Sequence, residues 1–341
     1  MFNFNKLLKR EEYQFLQGNK HLKGRIMLLA LGGSHAYGTN NKNSDIDIRG
    51  CALEKPSDLI GFSKFEQVIE TNTDTVIYSF NKLIGFLVNS NPNTLEILGC
   101  KPEHYLCLSE EGKQLIKNRK LFLSKKCINS FGGYAYQQLN RLSNALARDR
   151  FSQTDKEKHI LNSIKSAMLS FEERYTDFEK GSIVLNVGES QKESLDSEIF
   201  MNINLTDYPL RDFVGILGEM QNILRSYNKI NSRNKKKDDE HLDKHAMHLI
   251  RLYLMAIDIL EKEEIITYRE KDKELLLDIR NGEFRKEDGT YDDSFFEMVD
   301  EYRKRFEYAA ENTSLPANPD MRKIEEFVME INRKIIRGVM Q

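Results

Sequence analysis

The chain has 341 residues, enough to bury a sizeable core and to form more than one domain. Lys and Arg total 51 against 53 Asp and Glu, a formal charge of −2 that gives no global attraction to nucleic acid or to an anionic membrane, so any phosphate-binding surface must be local. With 40% hydrophobic and 30% charged residues the chain is too apolar for disorder, and no apolar run approaches the roughly 18 residues that a membrane span needs.

Met1 to Arg10 carries no secretory pattern, so a cytoplasmic protein is expected, with no membrane contact. Cys51, Cys100, Cys107 and Cys127 lack CxxC spacing and are read as reduced, small hydrophobic residues. The N-terminal third changes its apolar period often, as a mixed α/β domain does, whereas the rest reads as successive amphipathic helices. A boundary is therefore expected near residue 125, giving domains 1–125 and 126–341. Arg25 to Leu31 is a continuous apolar run ended by Gly32-Gly33, which predicts a buried strand entering a tight turn. Asp45-Ile-Asp-Ile-Arg49 alternates and predicts a strand with one buried face. Val68 to Glu70 and Thr73 to Tyr78 read as paired strands around Thr71-Asn72, followed by helices over Phe80 to Val88 and from Asn91-Pro92 through Leu98.

Further on, Thr154-Asp-Lys-Glu157 is a capping box ahead of a helical period to Phe171, and Pro209 opens a second one through Tyr227. Gly181 to Thr206 between them reads as an irregular insertion or a small hairpin. Helices are predicted over Asp238 to Glu261, Asp272 to Arg280 with a stop at Asn281-Gly282, Asp292 to Glu311, and Pro319 to Arg337 with a stop at Gly338.

Two segments carry chemistry together. Gly32-Gly33-Ser34 ends a strand where the backbone can approach a ligand, and the helix it opens presents unpaired N–H groups and the Ser34 hydroxyl to an anion. After a polar loop, Asp45 and Asp47 stand two residues apart and would share a strand face, with Arg49 beside them. Side-by-side carboxylates repel unless a cation lies between them, and carboxylates opposite a phosphate-binding turn make a Mg²⁺ site suited to phosphoryl or nucleotidyl transfer. On the helix from Asp238, His241, Lys244, His245, His248 and Arg251 form a stripe opposite the apolar face of Leu242, Ala246, Leu249, Ile250, Tyr253, Leu254 and Ile257. The stripe could be a solvated face, a set of phosphate donors or, last in order, a zinc site without cysteine.

Gly33-Ser-His-Ala-Tyr-Gly-Thr39 with Ser44-Asp-Ile-Asp-Ile-Arg-Gly50 resembles the DNA polymerase β-like nucleotidyltransferase superfamily, and more narrowly the bacterial and phage nucleotidyltransferases associated with RNA repair. Asn91 to Leu98, Lys244 to Leu252 and Leu277 to Glu283 support the narrower likeness, which weakens across roughly 145 to 237. The resemblance implies an α+β protein: a polymerase β-like domain with a small mixed sheet, then a helical C-terminal domain closing the nucleotide cleft. It also implies a third carboxylate on a neighbouring strand, for which Asp74 is preferred and Glu70 is the rival.

On this reading Asp45, Asp47 and Asp74 hold Mg²⁺ in a two-metal site and do the catalysis. Gly33, Ser34, Arg49, Lys244, His248 and Arg251 bind the nucleoside triphosphate, expected to be ATP, whose NMP passes to an acceptor hydroxyl as pyrophosphate leaves. An RNA end is the favoured acceptor by resemblance alone. A protein hydroxyl or a small molecule would use the same donor side, and a non-catalytic nucleotide sensor is the rival from another class.

Overall fold

A computed structural model describes residues 4–42, 44–150, 152, 155, 158–159, 161–162, 183–189, 197–211, 213–215, 217–218, 221 and 239–338. Two short helices, α1 (Phe4–Leu7) and α2 (Phe15–Gly18), precede β1 (Ile26–Leu31), α3 (Gly33–Tyr37) and β2 (Ile48–Ala52). Then come α4 (Pro56–Ile60), β3 (Gln67–Glu70), β4 (Thr75–Ser79), α5 (Phe80–Val88), α6 (Pro92–Leu98), β5 (Tyr105–Leu108), α7 (Glu110–Lys117) and α8 (Lys126–Arg150). The hairpin β6 (Ile183–Glu189) and β7 (Ser197–Ile203) is followed by α9 (Asp239–Lys262), α10 (Lys273–Asn281), α11 (Asp293–Asn312) and α12 (Met321–Arg337).

The chain divides into two compact units. The first is built from Met1–Gln138, Ala246–Glu283 and Asp293–Gln341, so it takes in chain on both sides of residue 125. Its centre is a mixed five-stranded sheet in the order β3-β4-β2-β1-β5, with β2 and β4 parallel and the other neighbours antiparallel. Leu29 and Leu31, Ile48 and Ala52, and Ile77 point to one face, where they pack with Leu7, Tyr13, Leu16 and Leu22 from the N-terminal helices. Leu28, Ala30 and Cys51 are buried as well, which is why β1 reads as an unbroken apolar run instead of an alternating one. The architecture is the α+β class expected, with a mixed sheet followed by long C-terminal helices.

Local chemistry explains most element ends. Ser79 caps α5 by accepting from the Lys82 N–H at 3.3 Å, Asn91 caps α6 with Pro92 in its first turn, and Gly282 and Gly338 end α10 and α12 in the left-handed conformation. The apolar face predicted on α9 is buried at each of its named positions. Helix α8 is not among the segments singled out in the sequence; Gly132 within it lies against Phe306, where a Cβ would come within 3.3 Å of the ring. The second expected strand starts three residues late: Gly32 N–H donates to the Asp47 carbonyl at 2.8 Å and Ile48 opens the ladder, so Asp45 and Asp47 lie in the approach to β2 and not within it.

The second unit comprises Leu139–His245 and Phe284–Asp292. It contains the β6–β7 hairpin, one of the two forms expected for 181–206. Asp243 is buried there, accepting from the Tyr291 hydroxyl at 2.6 Å and Arg285 Nε at 2.8 Å. Most of the helix predicted over 154–171 and much of that over 209–227 lie outside the described residues, although 155, 158–159 and 161–162 are helical. Among the described residues, no helix is long and apolar enough to cross a membrane.

Candidate active site

The site is assembled at the ends of β1, β2 and β4, in the first unit. Gly32 is extended, and Gly33 follows at φ +51°, a conformation that turns the chain sharply into the five-residue helix α3. A Cβ on Gly33 would fall 1.6 Å from Asp47 Oδ2, so this position must be glycine for the Asp47 carboxyl to lie against the turn. The close approach of turn and acid that the motif suggests is thus real, although it brings the acid, not only a ligand, onto the backbone.

Asp74 is the carboxylate beside Asp47. It sits at φ +40° at the end of the β3–β4 turn, a conformation that costs about 1 kcal/mol, less for Asp than for most side chains. Its carbonyl accepts from Ile48 N–H at 3.3 Å and from Arg49, whose other terminal nitrogen reaches Asp74 Oδ1 at 3.1 Å. The rival Glu70 is turned into the hairpin, where it accepts from Asn72 N–H at 3.3 Å.

Burial, reinforced by a hydrogen bond and repulsion from Asp74, pushes the Asp47 carboxyl up to about 7, while the same hydrogen bond and Arg49 hold Asp74 below the ordinary carboxylate range. The neighbouring acids thus pull apart, Asp47 toward its neutral form and Asp74 toward its charged one. Asp45 is exposed at the mouth, and among the described residues no group of three or more His, Cys, Asp or Glu stands close enough to hold a metal ion. The structure joins Asp47, Asp74, Arg49 and Gly33, and leaves Asp45 outside that group.

The stripe on α9 divides. Arg251 is 8% exposed, its guanidinium lies 3.5 Å over the centre of the Tyr37 ring, and it meets His248 Nδ1 at 2.6 Å. Tyr37, the last residue of α3, donates its hydroxyl to Glu96 of α6. Glu96 is buried, which raises its pKa, and Arg251 opposes that rise as the nearby counter-charge. Arg251, with His248 beside it, thus braces α3 from inside. Lys244 belongs to the second unit and pairs with Glu240 at 2.8 Å.

Sequence reasoning missed this bracing. Tyr37, Glu96, Arg251 and Arg280 all lie in stretches singled out by resemblance, yet only three-dimensional contact shows that these stretches meet around α3 and the loop after it. Thr267 and Arg269 add to the support, Thr267 Oγ1 donating to the Glu96 carbonyl at 2.6 Å and Arg269 N–H to the Tyr37 carbonyl at 3.1 Å.

A mixed sheet whose first strand ends in a Gly-Ser turn, facing acidic residues at the heads of two parallel strands, is the arrangement that the resemblance to DNA polymerase β-like proteins implies. Residues 7–168 match the family model RlaP, described as the RNA repair pathway DNA polymerase beta family. No curated protein and no solved structure matches the chain.

Proposed function

We propose that the protein is a Mg²⁺-dependent nucleotidyltransferase that moves an NMP from a nucleoside triphosphate, with ATP as the expected donor, to a hydroxyl at an RNA end. The family match supports the class and the RNA repair setting. The observation that carries the chemistry is the meeting of Asp74 with Asp47, whose carboxyl lies against the Gly33 backbone.

That donor set fits a divalent cation: two converging carboxyl groups whose repulsion a cation would relieve, with the exposed Asp45 able to add a third oxygen ligand. Bound Mg²⁺ would supply charge stabilisation at the α-phosphate and at the leaving oxygen. The chain's own residues do the rest. Gly33 and Ser34 donate to the β- and γ-phosphates, and Asp74 takes the proton of the attacking hydroxyl. A bond forms between the acceptor oxygen and the α-phosphorus as the bond to the bridging oxygen breaks, and pyrophosphate leaves with that electron pair. Arg49, already beside Asp74, offers positive charge to the phosphates.

Incubation with Mg²⁺ and each α-labelled NTP, with and without bulk RNA, tests this. Label migrating with RNA is expected. Label on protein or on a small molecule would replace the acceptor, and NTP binding without pyrophosphate release would replace the enzyme by a nucleotide sensor.

A further inference from the structure

The loop that delivers Asp45 is held from far along the chain. Arg280, in the last turn of α10, donates from one terminal nitrogen to the Thr39 carbonyl and from the other to the Ser44 hydroxyl at 3.3 Å. Ser44 closes the loop on itself, its hydroxyl accepting from the Asn41 N–H at 2.9 Å and donating to Asn41 Oδ1 at 3.1 Å. Thr39 N–H donates to the Ser34 carbonyl at 3.0 Å, tying the other end of the loop to α3. Arg280 therefore grips the loop at two points, one just after the Gly-Ser turn and one immediately before Asp45. Asp45 itself makes no hydrogen bond or ion pair among the described residues, so its neighbour Ser44 fixes where it leaves the loop.

We propose that Arg280 is a positioning residue for the reaction: its two-pronged hold on Thr39 and Ser44 sets Asp45 at the mouth of the site, from which it joins Asp47 and Asp74 around a divalent cation. The inference rests on the acidic-site reading above and deepens it. A cation near the C-terminal end of α10 would suit the helix dipole equally well as lysine. Only the planar fork of arginine reaches two acceptors in fixed geometry, so Arg280→Lys separates the hold from the charge.

The test uses the full chain, with Mn²⁺ as a paramagnetic probe of the cation site and hydrogen exchange of the loop amides as a readout independent of activity. In Arg280→Lys unfolding should stay cooperative with its midpoint only slightly lowered, while exchange of the amides of 39–45 quickens and Mn²⁺ affinity falls, each by about tenfold, the scale of a lost charge-assisted hydrogen bond. Combining Arg280→Lys with Asp45→Ala should weaken Mn²⁺ binding no further than Asp45→Ala alone, because the arginine acts through that carboxylate. Ser44→Ala, which removes one prong without touching α10, should move both readouts in the same direction by less. Wild-type exchange and Mn²⁺ affinity in Arg280→Lys, or additive effects in the double variant, would overturn the proposal. A wild-type protein that binds no Mn²⁺ would overturn the acidic-site reading and the positioning role with it.

Discussion

Burial and the neighbouring Asp74 push the Asp47 carboxyl up to about 7, and that raised value sets how the site responds to pH. A carboxyl whose folded pKa is raised adds stability that is fully present below its unfolded value, about 3.9, and is lost as pH rises through the folded value, about 7. The metal-free protein should accordingly lose stability from this group between about pH 4 and 7, with the loss complete above that, and added Mg²⁺ should restore it. Cation binding has the opposite sign, since the Asp47 proton must leave before the ion enters. Mg²⁺ affinity measured by calorimetry should rise by about tenfold per pH unit below 7 and level off above it. At the same scale, Asp45→Ala and Asp47→Ala should each lower nucleotidyl transfer by at least about a hundredfold with the fold intact, as circular dichroism would show. Full activity in both would place the chemistry elsewhere. Gly33→Ala adds a methyl group where Asp47 Oδ2 lies and fixes an L residue at φ +51°, so it should abolish transfer and cost roughly 1 to 2 kcal/mol in denaturant unfolding.

Among the elements, α3 is too short to be stable on its own and is held by α6 and α9 through Tyr37, Glu96 and Arg251. Tyr37→Phe leaves the buried Glu96 carboxylate short of a donor and should cost about 1 to 3 kcal/mol. Arg251→Leu strands the same carboxylate without its counter-charge and should cost about 3 to 5 kcal/mol, with the midpoint of urea unfolding as the measure in both. If Arg251→Leu instead kept full stability and only raised KM for the NTP, the residue would be a phosphate contact after all. This scale also shows what a single sequence reveals. The strands β1 and β4 and the helices α5, α6 and α10 were legible because apolar period, caps and stop residues act within a few positions. The Gly-Ser turn and its acids were legible because their spacing is local too. The register of Asp45 and Asp47 was not, because the start of β2 depends on Gly32 and Asp74, which approach from other parts of the chain. The packing of Arg251 on Tyr37 was not legible for a related reason: helical spacing shows which residues share a stripe and is silent on what that stripe meets.

At the scale of the whole molecule, the first unit is discontinuous. The family match ends at residue 168, yet Arg251, Thr267, Arg269 and Arg280, which hold α3 and its loop, all lie beyond it. A chain ending at residue 168 would expose the apolar surfaces that Ala246–Glu283 and Asp293–Gln341 cover in the same unit, and it should show no cooperative thermal transition where the full chain does. A sharp melt from the short chain would show that the matched stretch folds alone.

The span between Ser44 and Arg280 gives the site a timetable as well as a geometry. During synthesis at about 5 to 20 residues per second, the 236 positions that separate them take roughly 12 to 47 seconds to emerge. For that interval the nascent chain already displays its glycine turn and its acids, but the guanidinium that orders the loop does not yet exist. The loop before Asp45 therefore gains its two-pronged hold only after residue 280 has emerged, long after the turn and the acids it serves.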